Sequence, residues 1–407
     1  MHAHPTFRFL SLPLSLLLLA PLFVGCGEKV PTTPSETTLT PGAATLDRRE
    51  GEGAGAGEGA TTRYVSPRGT DTGACTRSPC RTISYAVGQT SAGDVVSVAE
   101  GTYHESVNVT KRLSLVGHDA TIDAAGLTAT PNGVVISGAG AAGSRLSGFT
   151  IRNAGLEGIF VLKTSDVVIE RNTVVENDAF GPFHPLCKDQ PDDCGEAVHL
   201  QSVTRSVVRD NLVRDNVGGI LLTDEDGPTF GNVISENRVL NNSKDCGITL
   251  ASHHFDPSGA ATAGVAGVYR NLVLHNVSNG NGAAGIGVFA GPPGAAAWEN
   301  TVAGNTARNN GFAGIMIHSH TPAQYADRNV ITGNTLSGNG IDDDNPVDDA
   351  PAGISVFSAV IPIRHTVIAA NHISNEHYGI ITLNAKDLIG LRTNKFARSV
   401  TVPISVH

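Results

Sequence analysis

The sequence predicts an all-β solenoid of stacked coils, and three observations predict it. A phrase made of Asn-x-[VIL], a second Asn five residues on, and then Gly-Ile-x-Val returns along most of the chain. The apolar residues fall in short runs of period two, with no stretch of helical period between them. Composition agrees: among 407 residues there are 47 Gly but only 2 Met and 1 Trp, and the apolar content is largely Val, Ile, Leu and Ala.

The first Asn of each unit falls at Asn172, Asn211, Asn237, Asn276, Asn305, Asn334, Asn371 and Asn394, with gaps of 39, 26, 39, 29, 29, 37 and 23 residues. A period that varies in this range marks coils that differ by loop insertions. Asn tolerates the left-handed backbone conformation and bonds neighbouring backbone. The expectation is therefore an Asn at the same tight bend of every coil, its amide bonded to the Asn above and below. The strands themselves read "GIFVL" (158–162), "AVHLQ" (197–201), "GILLT" (219–223), "GITLA" (247–251), "GIGVF" (285–289), "GIMIH" (314–318), "GISVF" (353–357) and "GIITL" (379–383). A second set, such as "DVVIE" (166–170) and "SVVRD" (206–210), precedes the Asn.

The first 62 residues read differently. Phe9–Val24 is apolar, follows Arg8 and ends at Gly25-Cys26. It is shorter than the roughly 18–20 residues that span a bilayer, which favours a signal peptide over residues 1–25. "LFVGC" resembles a bacterial lipobox, and that resemblance implies lipidation of Cys26 and attachment to a membrane of the bacterial cell envelope. Residues 26–62, with "PTTPSETTLTPG" and "EGEGAGAGEGA", are too rich in Pro, Thr and Gly to build a core and read as a flexible tether. The folded domain is expected over 63–407.

Five further cysteines suit an oxidising compartment. Cys75 with Cys80, and Cys187 with Cys194, are close enough in sequence to pair, which leaves Cys246 as a buried free thiol. None of these spacings has the four converging ligands of a structural metal site. The net charge of −10 is spread along the chain without a basic stripe, which argues against nucleic acid as a partner.

With the Asn and Gly-Ile repeats over 146–396 in view, the sequence resembles the right-handed parallel β-helix proteins of the pectate-lyase-like superfamily. The leading segment 63–110 is similar to the start of many such secreted proteins, and within it "RTISYAV" (81–87) resembles their short helix that caps the first coil. The resemblance implies a right-handed parallel β-helix of about ten coils with an N-terminal capping helix. It implies little about activity, because the superfamily holds lyases, hydrolases, epimerases and non-enzymatic surface proteins.

Equivalent positions in neighbouring coils lie about 4.8 Å apart, so counting from each Gly-Ile maps the stack. The second position reads Phe160, His199, Leu221, Thr249, Gly287, Met316, Ser355 and Ile381, an outward row without a line of charges. The sixth reads Thr164, Val203, Glu225, His253, Gly291, His320, Ala359 and Ala385. This count sets Glu225 beside His253, Asp226 beside His254, and His320 two coils on across an open place at Gly291, with His318 on the same strand. Histidine titrates near neutrality and a neighbouring carboxylate raises its pKa, so Glu225, Asp226, His253, His254 and His320 are candidates for acid–base work on a polysaccharide. A polar ridge where loops leave the stack would give the same pattern.

Motifs of known families are incomplete. "PDDC" (191–194) looks like the Asp-Asp-Cys of polygalacturonases, but their other motifs do not follow. "FDPSG" (255–259) is similar to the Asp-Pro-His of mannuronan epimerases, with Ser258 where His belongs. Pectate lyases use Arg or Lys beside calcium, and the outward row has no Arg while Lys163 and Lys386 stand at opposite ends. Two insertions stand apart: 178–196, which carries His184, Asp192 and Asp193 and could wall a groove, and the five-Asp loop 341–353. The latter has oxygen ligands suited to calcium but lacks the Gly and final Glu of an EF-hand, and a solvated acidic loop explains it as well. No other cofactor is indicated. Tyr269, Trp298 and Tyr325 lie near coil corners and would form at most a small sugar platform.

The sequence thus points to a surface-anchored lipoprotein that binds or processes polysaccharide, as a hydrolase, epimerase or lyase if catalytic. The alternative is a non-catalytic cell-envelope scaffold or adhesin.

Overall fold

The computed structural model describes residues 59–177, 195–341 and 351–407. The proposed signal peptide, Cys26, nearly all of the tether, the Cys187–Cys194 pair and most of the acidic loop lie outside these residues. Every strand pairing among the described residues is parallel, as a coil requires. The Gly-Ile strands form one sheet of 11 strands along one face of the coil. Two further strand rows belong to a sheet of 20 strands and are joined where Ser114–Asp123 and Arg145–Arg152 each run through both. A three-stranded sheet at a corner unites Thr229–Phe230, Val268–Tyr269 and Ala297–Trp298. No described helix is long and apolar enough to cross a membrane.

The period of two fixes which side chains fill the lumen. Ile159, Val198, Ile220, Ile248, Ile286, Ile315, Ile354 and Ile380 stack in register and are buried. Each such side chain contributes roughly 1.5–3 kcal/mol relative to exposure. The Gly before Ile has a reason of its own. A Cβ at Gly219 would lie 2.0 Å from the Gly247 carbonyl oxygen of the next coil, and one at Gly285 would lie 2.6 Å from that of Gly314. Close coil stacking therefore leaves room for a single methyl at most, and among the eight strands only Ala197 carries one.

The stack begins under a cap. The helix Ile83–Gly88 is opened by Thr82, whose hydroxyl accepts from the Tyr85 N–H, while Glu105 accepts from the Ile83 and Ser84 N–H groups. Its buried face of Ile83, Ala86 and Val87 closes the first coil. The Cys75–Cys80 disulfide is present beside it, and Cys246 is a free thiol, half-buried, packed near Ala284, Ala313 and Met316. Burial pushes its pKa well above the ordinary thiol value.

The eight Asn do form one continuous ladder. Each side-chain amide donates to the Oδ1 of the next, at 2.8–3.1 Å from Asn172 to Asn394. The corner differs from the expectation in one respect. The left-handed residue is the one before the Asn: Arg171, Asp210, Glu236, His275, Gly304, Gly333 and Ala370 all have positive φ. The Asn is selected for its paired donor and acceptor, and the preceding residue carries the bend. A second ladder runs Asn177, Asn216, Asn242, Asn281, Asn310, Asn339, and a third Asn232, Asn271, Asn300, Asn329.

The second ladder ends on a carboxyl, Glu376, which accepts the Asn339 N–H at 3.0 Å and its amide at 2.8 Å. Burial raises Glu376 from its ordinary 4.5 to about 7, against the pull of the Asn339 side-chain and backbone bonds and the Gly338 N–H. A raised acid favours the folded state fully below its unfolded pKa, and that advantage fades as pH rises through the folded value. Stability is therefore expected to fall by up to about 3 kcal/mol between pH 4.5 and 8 on this account. In Glu376→Gln that loss should disappear, which denaturant melts at pH 5 and pH 8 would read directly.

Candidate functional site

The outward row of the Gly-Ile sheet keeps the predicted register from Phe160 to Ile381 without a break. It is more enclosed than an exposed face: His199, Leu221, Thr249, Met316 and Ser355 are all buried. At its polar end the row joins the turn after the strand. The His199 Nε2 lies 2.8 Å from the Thr223 Oγ1, and Thr223 donates its hydroxyl proton to the Glu225 Oε2. A hydroxyl has one proton to give, so His199 must be the donor to Thr223 through Nε2–H. On the far side the Glu225 Oε1 meets the His253 Nδ1 at 2.7 Å. Behind His199 stands Glu157, its Oε1 3.7 Å from Nδ1, an ion-pair distance and too long for a hydrogen bond. Glu157, His199, Thr223, Glu225 and His253 thus form a polar chain across four coils.

Glu225 is the centre of that chain. Burial alone would raise its pKa, but the His253 hydrogen bond, the charges of His199 and His253, and the Thr223 hydroxyl outweigh burial and hold it at about 2. A carboxylate so held requires Nδ1–H on His253, whose Nε2 is itself buried.

The neighbouring carboxylates divide. Asp224, overlooked in the sequence, is fully buried and anchors the turn. It accepts from the Ser252 hydroxyl at 2.9 Å, the His253 N–H at 2.7 Å, the His254 N–H at 3.2 Å and the Gly267 N–H at 2.5 Å. Burial raises its pKa against those bonds. Asp226 does not join His254 as the count suggested. It turns to the opposite side, 3.0 Å from the Lys163 Nζ and accepting from the Gln201 amide at 3.0 Å, on the rim of a shallow cleft of about 390 Å³. The reason is local: Asp224 is drawn inward by its donors, and Asp226 emerges two residues later on the other side of the turn. His254 stays beside His253, half-buried, tied by its N–H to Asp224.

His320 meets His318 on its own coil. Its Nε2 lies 2.9 Å from the His318 Nδ1, and the place expected to be open at Gly291 has the Phe289 ring against it. Phe289 stacks on His318 with ring centres 4.3 Å apart. Burial, then the charge of His320, lower His318 to about 3, so it is neutral across the physiological range.

The aromatic residues form a stack rather than a platform. Phe230 and Tyr269 lie 5.0 Å apart, Tyr269 and Trp298 4.4 Å apart, and Tyr325 closes the series at 5.9 Å. Ala261 and Ala266 pack on them, and Tyr269 and Trp298 are buried. Among the described residues no group of three or more His, Cys, Asp or Glu is arranged to hold a metal ion.

Parallel coils, an Asn ladder and a capped first turn define a right-handed parallel β-helix of the pectate-lyase-like type. The chain belongs to the right handed beta helix region family, whose model matches residues 117–336. No curated protein matches it. Among solved structures it is similar to the mannuronan C-5 epimerase AlgE4 A-module of Azotobacter vinelandii, at 16% identity over 80% of this chain and 91% of that one, with a TM-score of 0.49. The catalytic domain of a GH87 alpha-1,3-glucanase is similar at 13% identity over 79% of this chain and 55% of that one, with a TM-score of 0.51. PfbA, a surface adhesin of Streptococcus pneumoniae, follows at 14% identity over 79% and 87%, with a TM-score of 0.48. At these identities the likeness is one of fold.

Proposed function

We propose that the protein is an envelope-anchored lipoprotein that binds polysaccharide and processes it with His253 and Glu225 as an acid–base pair. One observation carries this reading: Glu225, held ionised at about 2, grips the His253 Nδ1 at 2.7 Å while a buried chain supports it from behind. The carboxylate fixes the tautomer and stabilises the imidazolium that forms when Nε2 takes a proton. Moving a proton at a sugar ring carbon or a glycosidic oxygen is the step shared by elimination, epimerisation and hydrolysis. His254 lines the same turn, half-buried, and would be the second imidazole offered to a sugar. Anchoring rests on Cys26 and the tether, which would hold the coil off the membrane surface. Calcium, if used, would be supplied through the acidic loop 341–353.

A second reading, a non-catalytic scaffold or adhesin, is favoured by the enclosure of the same groups. The His253 side chain is 6% exposed and the His199 side chain 7%. The two readings part in one experiment. The mature protein would be incubated with neutral glycans and polyuronates, with and without calcium, following reducing ends, unsaturated-product absorbance and uronate stereochemistry by NMR. Any of these changes appearing with turnover supports processing. Silence in all three supports the scaffold.

A further inference from the structure

A second ionic cluster lies on a different face, in the first strand row of the 20-stranded sheet. Glu170 is fully buried, and three guanidinium groups close on its carboxylate. Arg145 reaches it through Nη2, Arg171 through Nη2 at 2.7 Å, and Arg209 through Nε at 2.8 Å and Nη2 at 2.7 Å. The coil geometry places them. Arg209 is the register partner of Glu170 in the next coil, and Arg145 lies two residues before Ser147, its register partner in the coil before. Arg171 follows Glu170 at the left-handed corner, with φ of 52°.

One arginine would neutralise a buried carboxylate. Three leave an excess of two positive charges, in a protein whose formal net charge is −10. No other carboxylate pairs with the three among the described residues. Burial, then the charges of Arg171 and Arg209, lower the Arg145 guanidinium from its ordinary value. Donors remain as well. The Nη1 groups of all three and the Nε of Arg145 and Arg171 make no hydrogen bond among the described residues. The side chains are 20%, 60% and 34% exposed for Arg145, Arg171 and Arg209, so these N–H groups face water.

We propose that Arg145, Arg171 and Arg209, fixed in place by Glu170, form a binding site for a phosphate monoester dianion. The excess of two charges matches the nearly −2 of a phosphate monoester at neutral pH and exceeds what a carboxylate returns. Planar guanidinium forks suit the phosphate oxygens in geometry as well as charge. Glu170 serves as the internal tie that holds three mutually repelling groups on one spot. The group is carried by a phosphorylated saccharide or arrives as free phosphate. The site is independent of the His253 chemistry and stands whether or not the protein turns over glycan.

The test is calorimetric titration of the full mature chain with inorganic phosphate, glucose 6-phosphate and acetate at fixed ionic strength. Saturable binding of both phosphates is expected, with acetate at least about tenfold weaker. Arg171→Gln, at the most exposed of the three, should weaken phosphate about tenfold with an unchanged melting temperature, and Arg209→Gln should weaken it as much. Tighter binding of the sugar phosphate would identify a saccharide as the carrier, and equal affinities would make the phosphate group itself the ligand; either upholds the site. Absence of saturable phosphate binding overturns it. So does binding that Arg171→Gln leaves untouched, or acetate binding as tightly as phosphate.

Discussion

Replacing Asn276 by Ala is expected to cost roughly 3–5 kcal/mol, more than most single changes in a protein of this size. Asn276 Oδ1 accepts the Asn237 N–H at 2.9 Å and its amide at 3.0 Å, while its own amide donates to the Ile234 carbonyl at 2.8 Å and the Asn305 Oδ1 at 3.0 Å. Alanine removes all four contacts at a position only 1% exposed. Each buried group left without a partner costs roughly 1–3 kcal/mol, and some regain partial bonding when the coil relaxes. The ladder's end should behave differently. Asn394 accepts from Asn371 and donates to the Ile368 and Leu391 carbonyls at 2.9 and 2.8 Å. It is 8% exposed, so water can satisfy part of what alanine leaves open, and Asn394→Ala is expected to cost about half as much. Denaturant unfolding of the two variants checks the difference. Equal losses at both positions would mean that the ladder is not cooperative along its length.

Glu225→Gln is the second change with a large expected effect, and it acts on two observables. On activity, glutamine cannot hold His253 in the required tautomer or stabilise its imidazolium, so turnover should fall by about 10²–10⁴. On stability the sign follows from the low pKa. A carboxylate depressed from 4.5 to about 2 contributes stability that is complete above pH 4.5 and lost as pH falls towards 2. The wild type should exceed Glu225→Gln by about 3 kcal/mol at neutral pH, with the gap closing on acidification. A gap that stays constant with pH would mean that Glu225 is not the ionised centre of the chain.

The coil and its register were legible because a strand counts in twos from a fixed mark. In seven of the eight coils a Gly precedes the Ile, with Ala197-Val198 in the other, so the count restarts at a recognisable mark and the row from Phe160 to Ile381 held through every insertion. The turn after the strand has no such mark. Glu225 and His253 met as counted, since both lie within two residues of their strand ends. Asp226 did not meet His254, because Asp224 buries itself on four donors and reverses the side from which the next residues emerge. His199, Thr223 and Glu157 were visible only as isolated polar residues; the sole signal was that His199 and Thr223 are polar in rows otherwise largely apolar. The aromatic stack was recognisable as a cluster, but not that Ala261 and Ala266 cover it. The Asn corners show the same limit, since composition reveals the amide while the left-handed residue before it varies from Arg to Ala.

The most direct test of the acid–base assignment compares wild-type protein and His253→Ala on whichever glycan of the panel gives product, with melting temperatures measured alongside. Loss of turnover by about a hundredfold or more, with the fold intact and substrate binding retained, is the predicted result. Equal turnover in the two proteins would contradict it and remove His253 from the chemistry.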